Sequence, residues 1–205
     1  SEMSHIVQDA KPVAIFFVSN MDGRDYVDDV IALQSATDCI KHLVCFGNAV
    51  PGATLFSELM AKGTGRRSSA GSTARDGEDL CMIVYTSGSS GRPKGCMLRN
   101  KSMVHRGQMQ VRDFDFSGDY PIVFNPWPMN HVGGIQLVSA YVMVAGGTIV
   151  FTRGFDAETM GKTVAENNIN LLLLLPTMYH LMFSATSFDP DDFASVELFV
   201  FSGGS

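Results

Sequence analysis

The stretch L80-CMIVYTSGSSGRPK-G95 joins two kinds of sequence. Leu80 to Tyr85 is apolar and β-branched, as in a buried strand. Thr86 to Gly95 then gathers Thr86, Ser87, Ser89 and Ser90 with three glycines and one lysine, Lys94. In an α/β sheet, ligands sit beyond the carboxyl ends of strands, which is where this loop falls. Glycines let the backbone approach a ligand and turn successive N–H groups toward an anion, hydroxyls add donors, and Lys94 adds charge. The sum suits a phosphate chain. Ser and Gly are equally at home in plain surface loops, so the flanking residues have to decide. A Walker-type loop is a poor match, because Lys94 is followed by Gly95 rather than Ser or Thr, and Arg92-Pro93 interrupts a helix start.

Outward from this stretch, short apolar runs alternate with amphipathic ones. Strands are expected at Ala14 to Ser19, Leu43 to Gly47, Leu80 to Ser87, around Ile122, around Ile149, at Ile169 to Leu175 and at Glu197 onward. Helices are expected over Asp25 to Thr37, over Lys101 to Val111 with Asn100 as cap, over His131 to Val144, over Asp156 to Glu166, and from Thr177 to Ala185. CMLRN after the loop reads as extended. INLLLLLP, stopped by Pro176, has the continuous apolar character of a strand covered on both faces. The alternation predicts an α/β fold, layered, with mostly parallel sheets flanked by helices. Residues 1–62 form a strand-helix-strand part, residues 63–78 a flexible Gly/Ser/Arg-rich loop, and residues 79–205 the core that carries the phosphate loop.

Composition narrows the function classes. The chain has 205 residues, 45% hydrophobic and 18% charged, so a sizeable core is expected. A net charge of −6 with scattered basic residues argues against nucleic-acid binding. The four cysteines form no CxxC pair, which points to buried free thiols. No secretory leader is visible, and Ile135 to Phe151, broken by Gln136, Ser139, Gly146 and Gly147, is no membrane span. A cytoplasmic protein is the default expectation.

The string Tyr85 to Gly95 closely resembles the phosphate-binding signature of the AMP-forming adenylating enzymes, the superfamily of acyl- and aryl-CoA ligases, beetle-type luciferases and peptide-synthetase adenylation domains. Ser90 stands where Thr is usual and keeps the hydroxyl. NPWPMNHVGG, Asn125 to Gly134, resembles the family's second motif, Pro-Met/Leu-x-His-x-x-Gly, through Pro128, Met129, His131 and Gly134. FSGGS, Phe201 to Ser205, resembles its Gly-Gly-Ala/Ser turn. The resemblance covers most of the chain from about residue 79 onward. It implies that Thr86, Ser87, Gly88, Ser89, Ser90, Gly91 and Lys94 hold ATP phosphates. His131, Trp127 and Gly134 would border the acyl pocket, and Ser202, Gly203, Gly204 and Ser205 would lie along the adenosine. Taken alone, a histidine at a helix start is more often a polar cap, and a tryptophan beside proline is more often packing. No protein metal ligand is implied within this chain. His105 and His180 have no matching context, and His180 reads as structural.

By the same resemblance, a carboxylic acid is activated with ATP as acyl-adenylate and passed to coenzyme A, with Mg²⁺ bridging phosphates. His131 in its motif favours an acyl- or aryl-CoA ligase over a peptide-synthetase adenylation domain. The family's Tyr-Gly-x-Thr-Glu motif, ribose-binding Asp and C-terminal domain with the catalytic lysine have no counterpart here. The chain therefore reads as an internal piece of the large N-terminal domain, inactive alone and prone to self-association; Lys94 is the loop lysine, not the catalytic one. Two alternatives stand beside this: a non-catalytic nucleotide- or acyl-binding module on the same fold, and a phosphotransferase, for which the glycine loop alone speaks.

Overall fold

The computed structural model describes residues 2–64, 76–86, 91–118 and 120–201. By its internal contacts the chain divides into two compact units, Ser1–Arg75 with Tyr85–Met97, and Asp76–Val84 with Leu98–Ser205.

The first unit opens with helix α1 (Glu2–Ala10), which the amphipathic stretch around Val7 forms and the sequence reading missed. Strand β1 (Ala14–Val18) follows, then a small antiparallel ribbon of β2 (Asn20–Met21) and β3 (Arg24–Asp25) across an Asp22-Gly23 turn. Both turn residues have positive φ, 54° and 81°, as a two-residue hairpin turn requires. Helix α2 (Val27–Ser35) starts where the Asp25 carboxylate accepts from the Val27 N–H at 2.7 Å. Strand β4 (His42–Phe46), strand β5 (Thr54–Leu55) and helix α3 (Phe56–Gly63) complete the unit. The sheet order is β1-β4-β5, all parallel, with Ala14 opposite His42 and Val44 opposite Thr54. Alternation along the strands puts Phe17, Leu43 and Cys45 into a core with Val7, Val30 and Leu33. Phe16 and Phe46 are exposed, and the Phe46 ring lies 6.3 Å from that of Phe16 and 4.5 Å from that of Phe56.

Strands β6 (Leu80–Thr86) and β7 (Lys94–Arg99) pair with each other around the glycine and hydroxyl loop. The expected extended CMLRN segment is β7. Helix α4 (Asn100–Phe114) follows directly. Asn100 is its first residue rather than its cap, because the turn at Asp76–Asp79 takes its polar groups: Asn100 N–H donates to the Asp79 carbonyl and Asn100 Nδ2 to the Asp76 carbonyl.

The second unit continues with β8 (Ile122–Asn125), a π-helical stretch Gly133–Ser139, α5 (Ala140–Ala145), β9 (Thr148–Phe151), α6 (Ala157–Asn167), β10 (Leu171–Leu174), α7 (Pro176–Phe183), a 3₁₀ turn at Pro190–Phe193 and β11 (Leu198–Phe201). The sheet runs β11-β10-β8-β9, all parallel. Leu171 to Leu174 are buried on both faces, as the unbroken apolar run predicts. Leu172 and Leu174 join Phe124, Met160 and Met182 on one side; Leu171 and Leu173 join Val123, Val138 and Tyr141 on the other. Full burial of each leucine is worth about 1.5 to 3 kcal/mol, so β10 is the axis of this unit. The Asp156 side chain caps α6 by accepting from Glu158 N–H. His180 is exposed on α7, which turns Met182 inward. Two expectations need correcting. All four cysteines are unpaired, but Cys81 and Cys96 are exposed, since β6 and β7 form a two-stranded ribbon with little to cover it. The helix expected from His131 starts later and is π-helical before it becomes α5.

Candidate functional site: a glycine loop and a cleft beside β8

The stems of the glycine loop are held by α1. Tyr85, at the end of β6, donates its hydroxyl to the Asp9 carboxylate at 2.6 Å. Beyond the loop, the Pro93 carbonyl accepts from His5 Nε2 at 3.0 Å. His5 and Asp9 are four residues apart and so share one face of the helix. The hydrogen bond to Asp9, with a smaller contribution from burial, pushes the Tyr85 hydroxyl up to about 12. The phenol thus keeps its proton through the neutral and mildly alkaline range. Thr86 and Lys94 are exposed at the two loop ends, and Gly91 has φ of +79° with open space around its α-carbon. Of the residues expected at the phosphates, Ser87, Gly88, Ser89 and Ser90 lie outside the described residues. So do Ser202, Gly203, Gly204 and Ser205, expected along the adenosine, and most of the loop expected at 63–78.

The second constellation grows from the end of β8. Asn125 is 2% exposed, and its side chain ties the following turn into a closed loop. Its Oδ1 accepts from Trp127 N–H at 3.1 Å, and its Nδ2 donates to the Gly134 carbonyl at 3.1 Å. Ser139 Oγ donates to that same carbonyl at 2.6 Å. The turn between is stiffened by Pro126 and Pro128. Trp127 Nε1 donates to the Leu173 carbonyl at 3.3 Å, which seats the indole against the central strand β10.

The two glycines of the motif are explained by close approach. A Cβ on Gly133 would stand 2.9 Å from the Trp127 ring, and one on Gly134 would stand 2.6 Å from the Pro128 carbonyl oxygen. Gly133 N–H donates to His131 Nδ1 at 3.0 Å. That contact makes Nδ1 the acceptor, so the neutral ring carries its proton on Nε2, which is left as a donor.

His131, Trp127 and Gly133 line an open cleft of about 450 Å³ together with Arg106 of α4 and Gln136 and Leu137 of the π-helical stretch. The volume lies in the range of small-molecule sites. His131 and Trp127, expected together, are together. Gly134 is buried behind them as a packing residue and does not line the cleft. Three contributors escaped the sequence reading: Asn125, whose Asn-Pro dipeptide is a turn signal; Gln110, buried on α4 with Nε2 donating to the Leu137 carbonyl at 2.6 Å; and Arg106. Among the described residues no three His, Cys, Asp or Glu side chains gather as a metal site, and no helix is long and apolar enough to cross a membrane.

The sequence matches the AMP-binding enzyme family over residues 1–205. The chain belongs to that family. Feruloyl-CoA synthase of an Amycolatopsis species is 26% identical over 126 residues, which cover 62% of this chain and 26% of that protein. The chain therefore spans about a quarter of the length of this curated relative. A Rhodopseudomonas palustris structure assigned as a long-chain-fatty-acid CoA ligase aligns with a TM-score of 0.79 at 18% identity, covering 99% of this chain and 48% of the other. ATP-bound MatB from the same organism aligns with a TM-score of 0.77 at 20% identity, covering 98% and 37%. At these identities the two structures bear on fold, and the fold they share is the α/β arrangement read from the sequence.

Proposed function

We propose that this chain supplies the ATP-phosphate loop and the acid-binding cleft of an AMP-forming carboxylate ligase. The observation that carries the reading is the cleft beside β8, where the Asn125-tied turn presents His131 Nε2–H next to the Trp127 indole. In the reaction, a carboxylate oxygen of the acid attacks the α-phosphorus of ATP. The bond to the bridging oxygen breaks, pyrophosphate leaves with that electron pair, and acyl-adenylate remains. A thiol then attacks the acyl carbon and AMP departs; coenzyme A is the thiol we assign, in keeping with the name of the feruloyl-CoA relative.

Each group has a role in this scheme. Thr86, Ser87, Ser89, Ser90 and the amides of Gly88 and Gly91 donate to the β- and γ-phosphates, and Lys94 balances their charge. Such preorganised donors count most where charge accumulates. His131 Nε2–H orients the acid and Trp127 packs against its apolar part. Ser202 to Ser205 run along the adenosine. Mg²⁺ would be held by phosphate oxygens of the nucleotide and would offset their charge there.

Lys94 provides the test. Increasing MgATP should protect its amine from acetylation with a saturable dependence, read by peptide mass spectrometry. Lys94→Ala should weaken nucleotide binding by about 1.5 to 3 kcal/mol, the worth of one charge-assisted contact. Labelling that ATP does not slow, together with unchanged binding in the variant, would remove the loop from the phosphate site.

A further inference from the structure

We infer that Arg106 makes the cleft beside His131 selective for acids that carry a second anionic group, remote from the carboxylate to be activated. The inference rests on the reading of that cleft as the acid site. Met103, Arg106 and Gln110 follow one another at helical spacing and form one stripe of α4. Both outer members touch the π-helical stretch: Gln136 Nε2 lies 3.8 Å from the Met103 sulfur, and Gln110 Nε2 donates to the Leu137 carbonyl at 2.6 Å. Gly107 lets the helix come this close, since a Cβ there would lie 2.5 Å from the Ala140 carbonyl oxygen. Arg106 is thereby fixed on the side of α4 that lines the cleft with Trp127 and His131.

The charge pattern gives the chemistry. Among the described residues no Asp or Glu lines this cleft. Arg112, on the same helix, is paired with Asp113 at 2.8 Å. Arg106 has no such partner among the described residues. An unpaired guanidinium offers a planar fork that matches a carboxylate with two parallel hydrogen bonds. The cleft therefore presents two donors, His131 Nε2–H and the Arg106 fork, with the indole face of Trp127 as apolar wall. A compact ligand with acceptors at both ends, such as an aromatic or short-chain diacid, complements that arrangement.

Trp127 is the chain's single tryptophan, so its emission reports on the cleft directly. With MgATP present, the chain is titrated with benzoate and with terephthalate, which share a ring and differ by one carboxylate. Terephthalate should bind about tenfold more tightly than benzoate, as a bidentate charged contact allows. Arg106→Gln should abolish that preference while changing benzoate affinity by less than about twofold, because only the remote contact is lost. Arg106→Lys should restore part of it. Equal affinity for the two acids, or equal weakening of both by Arg106→Gln, would overturn the role of Arg106 and leave the acid cleft standing. If neither acid alters Trp127 emission at millimolar concentration, the cleft is not the acid site and both readings fall.

Discussion

Replacing Asn125 by Ala would orphan the Trp127 N–H and remove one of the two donors to the Gly134 carbonyl. Unsatisfied buried groups cost about 1 to 3 kcal/mol, so Asn125→Ala should lower unfolding stability by that amount in urea titrations. It should also raise the mobility of the indole, read as reduced Trp127 anisotropy; unchanged stability would show that the turn holds by its prolines alone. The α1 contacts make a second residue-scale expectation. Tyr85→Phe removes one of the two hydrogen bonds that hold the loop stems and should weaken ATP binding several-fold while leaving the acid cleft unaffected, with Asp9→Asn milder because an amide oxygen still accepts. His131 and Trp127 were legible because their motif has fixed spacing. Asn125 and Arg106 were not, because what they do depends on backbone atoms and helices far along the chain.

Among the elements, α6 and the segment after α7 are joined by one carboxylate. Glu158 accepts from the Thr186 N–H at 3.1 Å, the Thr186 hydroxyl at 2.9 Å and the Ser187 N–H at 3.0 Å. These bonds, the one from the Thr186 amide foremost, hold its carboxyl below the usual carboxylate range. A lowered folded-state value means that the contribution is present above the ordinary carboxylate range and is lost as pH falls through the folded value. Glu158→Gln should therefore melt below the wild type at neutral pH, with the gap closing on acidification; a gap independent of pH would contradict the assignment. Tyr179, held up by burial, titrates in the opposite sense and should cost stability only as pH rises above the ordinary tyrosine range. The β-α alternation of the second unit was readable from hydrophobic periodicity, since LLLL is covered on both faces and Asp156 is a side-chain cap. Helix α1 and the π-helical stretch were not. The first gives little sequence signal beyond one amphipathic turn, and the second has the same apolar spacing as an α-helix until its backbone bonds are seen.

For the molecule as a whole, exposed apolar surface is the dominant consideration. Phe16, Phe46 and Phe56 make an aromatic row on one face of the β1-β4-β5 sheet, and β11, at the edge of its own sheet, exposes Phe199 and Phe201. Open edges and apolar patches of this kind favour association. The 205-residue chain should sediment as concentration-dependent oligomers, and Phe16→Ser with Phe201→Lys should shift it toward monomer. A monodisperse monomer at all concentrations would refute this. The family could be read from three motifs, but the aromatic row could not, because alternation assigns residues to faces without saying which face is covered.

The π-helical stretch at Gly133–Ser139 has a consequence for how this gene segment tolerates length change. Its backbone bonds reach five residues, as in Ala140 N–H to the Ile135 carbonyl, so it holds one residue more than an α-helix would need there. Loss of a single codon, for example that of Ile135, would let the stretch close into α-helix instead of breaking it. Because the wide turn is what absorbs the surplus residue, its removal leaves the helix on either side close to its present register, with α5 still anchored by buried Tyr141 and Val142. The deletion should yield a folded protein whose histidine at the head of the helix keeps its place beside the tryptophan. Random codon deletion should thus find this segment permissive, whereas deletions within the fully buried β10 should unfold the protein.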